Sequence, residues 1–366
     1  MESSSKLDIT ILCKVVDNFG DIGFVYRLAR SLSKKCDCDI RIITDNLHSF
    51  SLLEPKISDA EAFQTFEGWK IFDWNNASIC TPSFTEQVPD VILECFQCGR
   101  PEWLDDILFS PTFNGLVKII NIDYLTAESY AEDFHCLKSG TRSAKVKKMN
   151  FMPGFSSKTG GLIFDTYKRP VNTKSNDEFS VLVFSYEHDF SFIVKELSAF
   201  AKTNPLHVYL ASGRGKDSFM ASYNSQFTLT ELPFMPQNEW DAFMLKMDFL
   251  LIRGEDSLSR ACLSGIPFIW HAYVQDDDYQ NVKVKALLSV MEKYFEPNDF
   301  SKLSDFCIAY NTTKSKVDSP SLLELLQNAK ELKKGFSAFS NSLFDNGDFT
   351  EALISFIRKW SKELTC

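Results

Sequence analysis

The sequence lacks the features that would place the chain in a membrane or on a nucleic acid. No apolar run approaches the length of a membrane span, and residues 1–6 contain no apolar segment of the signal-peptide type. Acidic residues outnumber basic ones, 49 to 39, giving a net charge of -10, and no basic stripe is sustained along the chain. A protein that binds the phosphate backbone of a nucleic acid requires such a stripe. We therefore expect a cytoplasmic protein that binds neither a membrane nor a nucleic acid.

Several motifs of nucleotide and metal enzymes are also missing. There is no G-x-G-x-x-G fingerprint, no G-x-x-x-x-G-K-[ST] P-loop and no H-E-x-x-H motif, and Gly213-Arg214-Gly215 fails both glycine patterns. Redox and NTPase functions thus lose their main support. The cysteines offer only Cys95-x-x-Cys98 and Cys36-x-Cys38 as close pairs, whereas structural zinc normally needs two well-spaced pairs. We predict reduced, buried thiols and no metal.

What is present is a repeated alternation of strands and helices in a chain of 366 residues, long enough for two domains. Strands are predicted at 7–16, 40–44, 91–94, 117–122, 179–185, 207–211, 249–252 and 267–270, and helices at 190–200, 237–246 and 257–263. The polar residues 168–178 read as an interdomain linker. This pattern predicts two Rossmann-like domains facing each other, as in the glycosyltransferase-B architecture, although other two-domain α/β proteins share it.

The predicted domain boundaries follow from the same pattern. Residues 1–170 form an N-terminal Rossmann-like domain, and residues 177–344 form a C-terminal one. The final segment, 349–364, has the spacing of an amphipathic helix and is predicted to cross back, so that 345–366 join the first domain. Fold alone does not give function.

The first strand runs into a segment with two carboxylates and two glycines, residues 15–23. In a β-loop-α unit such a loop lies at the carboxyl end of the strand, where open α/β sheets bind their ligands. Gly20 and Gly23 are expected to permit positive φ and a close backbone approach. Asp17 and Asp21 are therefore candidate site residues. The alternative is that one of them caps the helix and the other solvates a turn.

A second strand-glycine-helix junction occurs at Leu251 to Ser257. Free N–H groups at the helix start favour an anion, and Arg253 and Ser257 can add charge-assisted hydrogen bonds to a phosphate. Asp256 and Ser257 are also ordinary N-capping residues, so the spacing leaves both interpretations open. Glu255 is harder to explain as a cap and could orient a sugar hydroxyl or a catalytic partner. The nearby His271 is expected simply to pack.

Four sets of motifs, spread in order over most of the chain, carry a family resemblance. They are Val16-Asp17-Asn18-Phe19-Gly20-Asp21-Ile22-Gly23 with Tyr26-Arg27-Leu28-Ala29-Arg30, then Asn121-Ile122-Asp123-Tyr124-Leu125, then Met152-Pro153-Gly154-Phe155 with Thr159-Gly160-Gly161-Leu162, and Arg253-Gly254-Glu255-Asp256-Ser257 with Gly265-Ile266-Pro267-Phe268. The chain thereby resembles the EarP family, the protein-arginine rhamnosyltransferases of bacterial translation elongation factor P. The resemblance implies a glycosyltransferase-B fold, dTDP-β-L-rhamnose as donor substrate, inversion at the anomeric carbon, and neither metal nor cofactor. It also implies that the first domain binds the acceptor protein and the second binds the nucleotide sugar.

The resemblance implies roles for individual residues. Asp17 and Asp21 match the family's catalytic aspartates, with Asp21 favoured as the general base, and Glu255 matches its essential glutamate. The implied donor-binding residues are Tyr186, Gln237, Arg253, Asp256, Ser257 and Tyr273, together with Asn18, Phe19 and Gly20. Carboxylates can clamp a guanidinium and accept its proton, while Arg253 and a helix N-terminus stabilise the departing dTDP. Tyr186 or Tyr273 could stack on thymine or pack in the core.

Two other functions remain open on the sequence. The first is a related nucleotide-sugar glycosyltransferase or epimerase that uses another sugar or acceptor. The second is a non-catalytic partner of a translation factor, although three acids at one site argue against it. Roles for the segments 95–99 and 276–278 do not follow from the resemblance.

Overall fold

The structure is a computed structural model that describes residues 6–16, 18–170, 178–312 and 321–365. The strands are β1 Leu7–Cys13, β2 Cys38–Thr44, β3 Phe63–Phe66, β4 Trp69–Asp73, β5 Val91–Cys95, β6 Val117–Ile122, β7 Lys138–Ser139, β8 Val146–Asn150, β9 Phe179–Val183, β10 Leu206–Leu210, β11 Thr228–Glu231, β12 Phe249–Arg253 and β13 Phe268–His271. The helices are α1 Asn18–Lys35, α2 Leu47–Leu53, α3 Ala77–Glu86, α4 Glu102–Leu108, α5 Tyr130–Phe134, α6 Ser191–Ala201, α7 Lys216–Ser222, α8 Gln237–Met244, α9 Glu255–Ser264, α10 Gln280–Met291, α11 Pro297–Tyr310, α12 Leu322–Gln327, α13 Ala329–Asn346 and α14 Phe349–Thr365.

The first compact unit contains Met1–Leu125, Ser129–Asp165 and Asn346–Cys366. Its eight-stranded sheet has the order β3-β4-β2-β1-β5-β6-β8-β7. The strands pair in parallel except at the two edges, where β3 and β7 run antiparallel to their neighbours. Because β1 pairs with β2 on one side and with β5 on the other, the strand order reverses beside β1. Ligands of open α/β sheets bind at such a reversal, outside the carboxyl ends of the strands.

The C-terminal helix α14 belongs to this first unit. Its residues Phe349, Leu353 and Ile357 are completely buried, in the same core as Val25 and Leu28 of α1. Burying an aliphatic or aromatic side chain of this size stabilises a fold by roughly 1.5–3 kcal/mol. The prediction that the last helix returns to the first domain is therefore confirmed.

The second compact unit contains Thr126–Glu128 and Thr166–Asp345. Its sheet has five strands in the order β11-β10-β9-β12-β13, and every pairing is parallel. The chain passes from β9 to β10 on one side and later to β12 on the other, so the strand order reverses between β9 and β12. This is a second Rossmann-like sheet with its own ligand-binding edge.

The predicted strands and helices are present, with ends that differ by one to three residues for most of them. The larger error concerns the segment after β1, because helix α1 begins at Asn18 and therefore contains Gly20 and Gly23. A glycine inside a helix costs about 1 kcal/mol, and the buried apolar face of α1 outweighs that cost. Residues 171–177, within the predicted linker, lie outside the described residues. Over the described part of the chain, no helix is both long enough and apolar enough to cross a bilayer.

Candidate active site

In the first unit, Asp21 lies at the carboxyl end of β1. It is in the first turn of α1 and only 2% exposed. Its Oδ2 accepts a hydrogen bond of 2.7 Å from the backbone N–H of Val16, just before the helix. Burial raises the pKa of the Cys13 and Cys95 thiols well above their usual range. The charges of neighbouring groups, Asp21 among them, make a smaller contribution in the same direction. The carboxylate thus lies above two neutral thiols at the edge where β1 and β5 end.

The structure describes the other predicted residues of this segment only in part. Asp17 lies outside the described residues, as does the side chain of Asn18. Phe19 and Gly20 are half-buried in the first turn of α1. The expected glycine-rich loop is therefore a helix start, and Asp21 reaches the sheet edge from the helix.

In the second unit, Arg253 is the last residue of β12, and its guanidinium is held between two aromatic rings. The guanidinium carbon is 4.6 Å from the centroid of the Phe184 ring and 4.7 Å from that of Tyr186. Both aromatic residues follow β9, the neighbour of β12 in the sheet. Stacking on two rings fixes the plane of a guanidinium and thereby the directions of its N–H donors.

Gly254 connects β12 to α9 in a conformation that favours glycine. Its φ of 74° and ψ of 164° lie in a region that is nearly restricted to this residue. Helix α9 begins at Glu255 without a side-chain cap, so Asp256 and Ser257 lie in its first turn. The interpretation of these two residues as N-caps is therefore wrong, because the cap position is occupied by Gly254.

The junction between β12 and α9 is suited to an anion. The first-turn N–H groups and the helix dipole favour negative charge, and the Arg253 guanidinium lies one residue before the cap. Ser257 is buried in this turn. Glu255 has its Oε1 3.7 Å from Nζ of Lys283, both side chains being about four-fifths buried. This pairing with Lys283 was not expected from the sequence.

The predicted nucleotide-binding tyrosines lie next to each other. The rings of Tyr186 and Tyr273 meet edge to face, with their centroids 5.6 Å apart. Tyr186 is buried, whereas Tyr273, after β13, is 45% exposed. Gln237 is buried at the start of α8. The structure thus brings Tyr186, Arg253, Tyr273 and the start of α9 to one edge of the second sheet, at the carboxyl ends of β9, β12 and β13.

A buried polar network supports this edge. The Ser185 hydroxyl is 2.7 Å from Nδ1 of His271 and 2.9 Å from the hydroxyl of Tyr310. Burial, with smaller contributions from the charges of His188 and Arg253, lowers the pKa of His271 to about 3. His271 is therefore neutral at physiological pH, and the interpretation that it packs in the interior is confirmed. Ser185 lies between the two residues that stack on Arg253, so the network anchors that backbone.

Comparison with known proteins decides the family. The family described as "Elongation-Factor P (EF-P) rhamnosyltransferase EarP" matches residues 9–358. The chain belongs to the EarP family. The protein-arginine rhamnosyltransferase of Shewanella oneidensis is 30% identical over 98% of this chain and 99% of its own length. That of Neisseria meningitidis serogroup B is 29% identical over 96% of this chain and 97% of its own.

Solved structures confirm the glycosyltransferase-B fold. A structure of EarP, described as the basis for arginine glycosylation of translation elongation factor EF-P, matches with a TM-score of 0.59 and 18% identity, covering 97% of this chain and 99% of that one. The spinosyn rhamnosyltransferase SpnG matches with a TM-score of 0.53 and 10% identity over 96% and 100% of the two chains.

Part of the EarP motif that begins at Tyr26 has a structural role. Arg27 and Arg30 of α1 both contact Asp165, whose side chain is fully buried, and Nζ of Lys34 is 3.3 Å from the same carboxylate. Burial opposes ionisation of this carboxyl, but Arg30 above all, with Arg27 and Lys34, holds the pKa of Asp165 below its usual value. These arginines therefore attach helix α1 to Asp165, which is the last residue of the segment Ser129–Asp165 in the first unit.

The two close cysteine pairs, Cys36 with Cys38 and Cys95 with Cys98, are free thiols. Burial raises the pKa of Cys98 to about 12. No group of three or more histidine, cysteine, aspartate or glutamate side chains that could hold a metal occurs among the described residues.

Sequence reasoning missed Phe184, Ser185, Tyr310 and Lys283. The only signal was Phe184-Ser185-Tyr186 itself, a polar residue between two aromatic ones at the end of a predicted strand. The partners of Ser185 are His271 of β13 and Tyr310 of α11, which lie 86 and 125 positions further along the chain.

Proposed function

We propose that this chain transfers L-rhamnose from dTDP-β-L-rhamnose to an arginine side chain of translation elongation factor P, with inversion at the anomeric carbon. The observation that carries the proposal is membership of the EarP family over residues 9–358. Full-length relatives named protein-arginine rhamnosyltransferases support the same activity. The proposal requires no metal and no cofactor.

The second unit binds the donor in this proposal. The diphosphate lies against the Arg253 guanidinium and the N-terminus of α9, where Ser257 donates a further hydrogen bond. Tyr273, half exposed beside Tyr186, offers its ring to the thymine, and Gln237 offers a polar contact to the nucleotide. Because Arg253 is held between two rings, its donors are oriented before the charge develops on departing dTDP.

The first unit binds the acceptor and supplies the base. A guanidinium has a pKa above about 12 and is a poor nucleophile until it loses a proton. The Asp21 carboxylate, with Asp17 as its predicted partner, orients one nitrogen and accepts its proton. The C–N bond forms as the bond between the anomeric carbon and the diphosphate oxygen breaks, and dTDP leaves with the electron pair. Attack opposite the leaving group converts the β-linked donor into an α-linked product.

Glu255 completes the proposed catalytic set. It is the first residue of α9 and is paired with Lys283 across 3.7 Å. This pairing places the Glu255 carboxylate at the helix start, beside the proposed position of the diphosphate. We propose that Glu255 accepts a hydrogen bond from a rhamnose hydroxyl and so orients the sugar.

Intact-mass spectrometry of elongation factor P tests the proposal. The factor from the same organism is incubated with this protein and dTDP-β-L-rhamnose. The expected result is a gain of one deoxyhexosyl group on a single arginine, located by fragmentation. Replacing that arginine by lysine in the acceptor should abolish the gain.

Two controls separate the alternatives. Incubation without the acceptor detects an epimerase, which would alter the free nucleotide sugar. Other dTDP- and UDP-sugars detect a transferase of different donor specificity. If elongation factor P binds but gains no mass with any donor, the protein is a binding partner and the proposed activity is wrong.

A further inference from the structure

A pocket of about 660 Å³ opens in the first unit at the carboxyl ends of β5, β6 and β8. We call it the strand-end pocket; Glu94, Asn121, Asp123, Asn150, Tyr130 and Phe134 line it. None of these residues has a role in the site described above. The pocket is polar at its floor and aromatic at its rim, and both parts need an explanation.

The floor is a row of polar side chains across three adjacent strands. Glu94 of β5 pairs in register with Asn121 of β6, which pairs with Asn150 of β8. Glu94 is completely buried and is held by Arg100 and Lys148. Asn121 Nδ2 donates to Asn150 Oδ1 over 3.3 Å. Polar groups in a sheet interior are costly unless satisfied, so a row of them at a pocket floor points to a ligand.

One atom of this row lacks a partner. Asn121 is only 7% exposed, and its Oδ1 accepts no hydrogen bond from the described part of the chain. Buried acceptors in native structures nearly always have a donor. This oxygen is shielded from solvent, so an occupant of the pocket meets the wall at the partly exposed carboxylate of Asp123 and donates an N–H or O–H there.

The loop after β5 is strained where it faces the pocket. Phe96 and Gln97, neither of which is a glycine, have positive φ, at 59° and 53°. Strain of this kind costs free energy and persists where surrounding structure or function requires it. Gln97 Nε2 donates to Asp123 Oδ2 over 2.7 Å, which fixes the carboxylate on the pocket wall.

The same loop connects the pocket to the edge that carries Asp21. The Phe96 ring stacks on Tyr124 at 4.5 Å and meets Phe24 of α1 edge to face at 5.3 Å. Phe24 lies one turn beyond Asp21 on that helix. An acceptor protein bound at Asp21 therefore has the strand-end pocket beside it, within the same unit.

The rim presents aromatic side chains to solvent. Tyr130 is 40% exposed and Phe134 is 47% exposed, one helical turn apart on α5. Their rings meet edge to face at 5.9 Å. Exposed aromatic residues around a polar pocket are typical of protein–protein interfaces, where the rings supply most of the buried apolar area.

We propose that the strand-end pocket is a docking site for the acceptor protein, taking a hydrogen-bond-donating side chain near the target arginine while Tyr130 and Phe134 pack on apolar side chains around it. The proposal rests on the proposed function, because the occupant is the acceptor of that reaction. It assigns acceptor recognition to residues that do not touch the reacting atoms.

Calorimetric titration with unmodified elongation factor P tests the proposal. The variants are Asp123→Ala, which removes the carboxylate acceptor of the pocket wall, and Phe134→Ser, which changes only an exposed side chain. We expect each to raise the dissociation constant for elongation factor P by about tenfold or more. Affinity for dTDP should be unchanged, because neither substituted residue is among those proposed to bind the donor. Phe63→Ser is the matched control, since Phe63 is 44% exposed on edge strand β3 at the far side of the sheet.

The outcomes distinguish this proposal from the one on which it rests. If the wild-type protein modifies elongation factor P but both variants bind it within about twofold of wild type, the docking site is wrong and the activity stands. If Phe63→Ser weakens binding as much as Phe134→Ser, the effect is not specific to the pocket and the proposal is also wrong. If the wild-type protein neither binds nor modifies elongation factor P, the proposed function fails, and the occupant assigned here fails with it.

Discussion

Replacing Ser185 by alanine tests whether the buried network positions the donor-binding residues. The substitution removes the hydroxyl that contacts both His271 and Tyr310, neither of which is accessible to bulk water. Each buried polar group left without its partner costs about 1–3 kcal/mol. Two such groups give an expected loss of unfolding free energy of about 2–4 kcal/mol, since some relaxation recovers part of the total.

The same substitution should weaken donor binding. In the variant, the backbone of Phe184 to Tyr186 can shift to re-pair His271 and Tyr310, and binding of the donor must restore the original position of Tyr186. If returning Tyr186 to its original position costs about 1.4 kcal/mol, the dissociation constant for dTDP rises about tenfold. Calorimetric titration with dTDP measures this, and urea-induced unfolding measures stability.

Ser340→Ala provides the matched control. Ser340 of α13 is also fully buried, and its hydroxyl donates to the Leu263 carbonyl over 2.7 Å. Its loss should lower stability by about 1 kcal/mol without changing dTDP affinity. A Ser185→Ala protein that binds dTDP as tightly as wild type would refute the positioning argument, whatever its stability.

Three further predictions follow from the geometry. Asp21→Asn should lower the transfer rate by about 10²-fold or more at unchanged dTDP affinity, measured by product mass over time, because the amide cannot accept the proton. Asp165→Asn should lower the unfolding free energy by about 3 kcal/mol or more in urea, because Arg27, Arg30 and Lys34 lose the buried carboxylate that they share. For His271 the folded pKa of about 3 lies below the ordinary 6.5, so its contribution to stability is complete above pH 6.5 and is lost as the pH falls toward 3. A His271→Gln protein should therefore lose less stability than wild type over that range, and equal slopes would contradict the assignment.

Local patterns in the sequence were sufficient to predict the four central strands of the first sheet and four of the five strands of the second, but not β3, β4, β7, β8 and β11. Strands such as β12, which begins Phe249-Leu250-Leu251-Ile252, are continuous apolar runs, because parallel strands covered on both faces need nothing else. Helix starts were harder to predict. Gly20 and Gly23 indicated a loop, yet α1 begins before them, because burial of Val25 and Leu28 against the core outweighs the low helix propensity of glycine.

Contacts between distant segments could not be predicted. Asn121 and Asn150 become neighbours only because β6 and β8 pair in register, and register depends on the assembled sheet. The network of Ser185 likewise depends on elements that follow it by many residues. The resemblance indicated which residues matter, but the contacts that hold them were visible only in the folded chain.

The place of α14 constrains how the protein folds during synthesis. The first unit needs Phe349, Leu353 and Ile357 to complete its core, and the backbone N–H of Phe349 donates to the Leu162 carbonyl over 2.9 Å. A ribosome delivers these residues only after it has made the whole second unit. The N-terminal sheet must therefore wait, with part of its apolar face uncovered, while the later unit can already fold. A fragment that ends after Asp165 would keep that face exposed, and we expect it to aggregate unless α14 is supplied as a separate peptide.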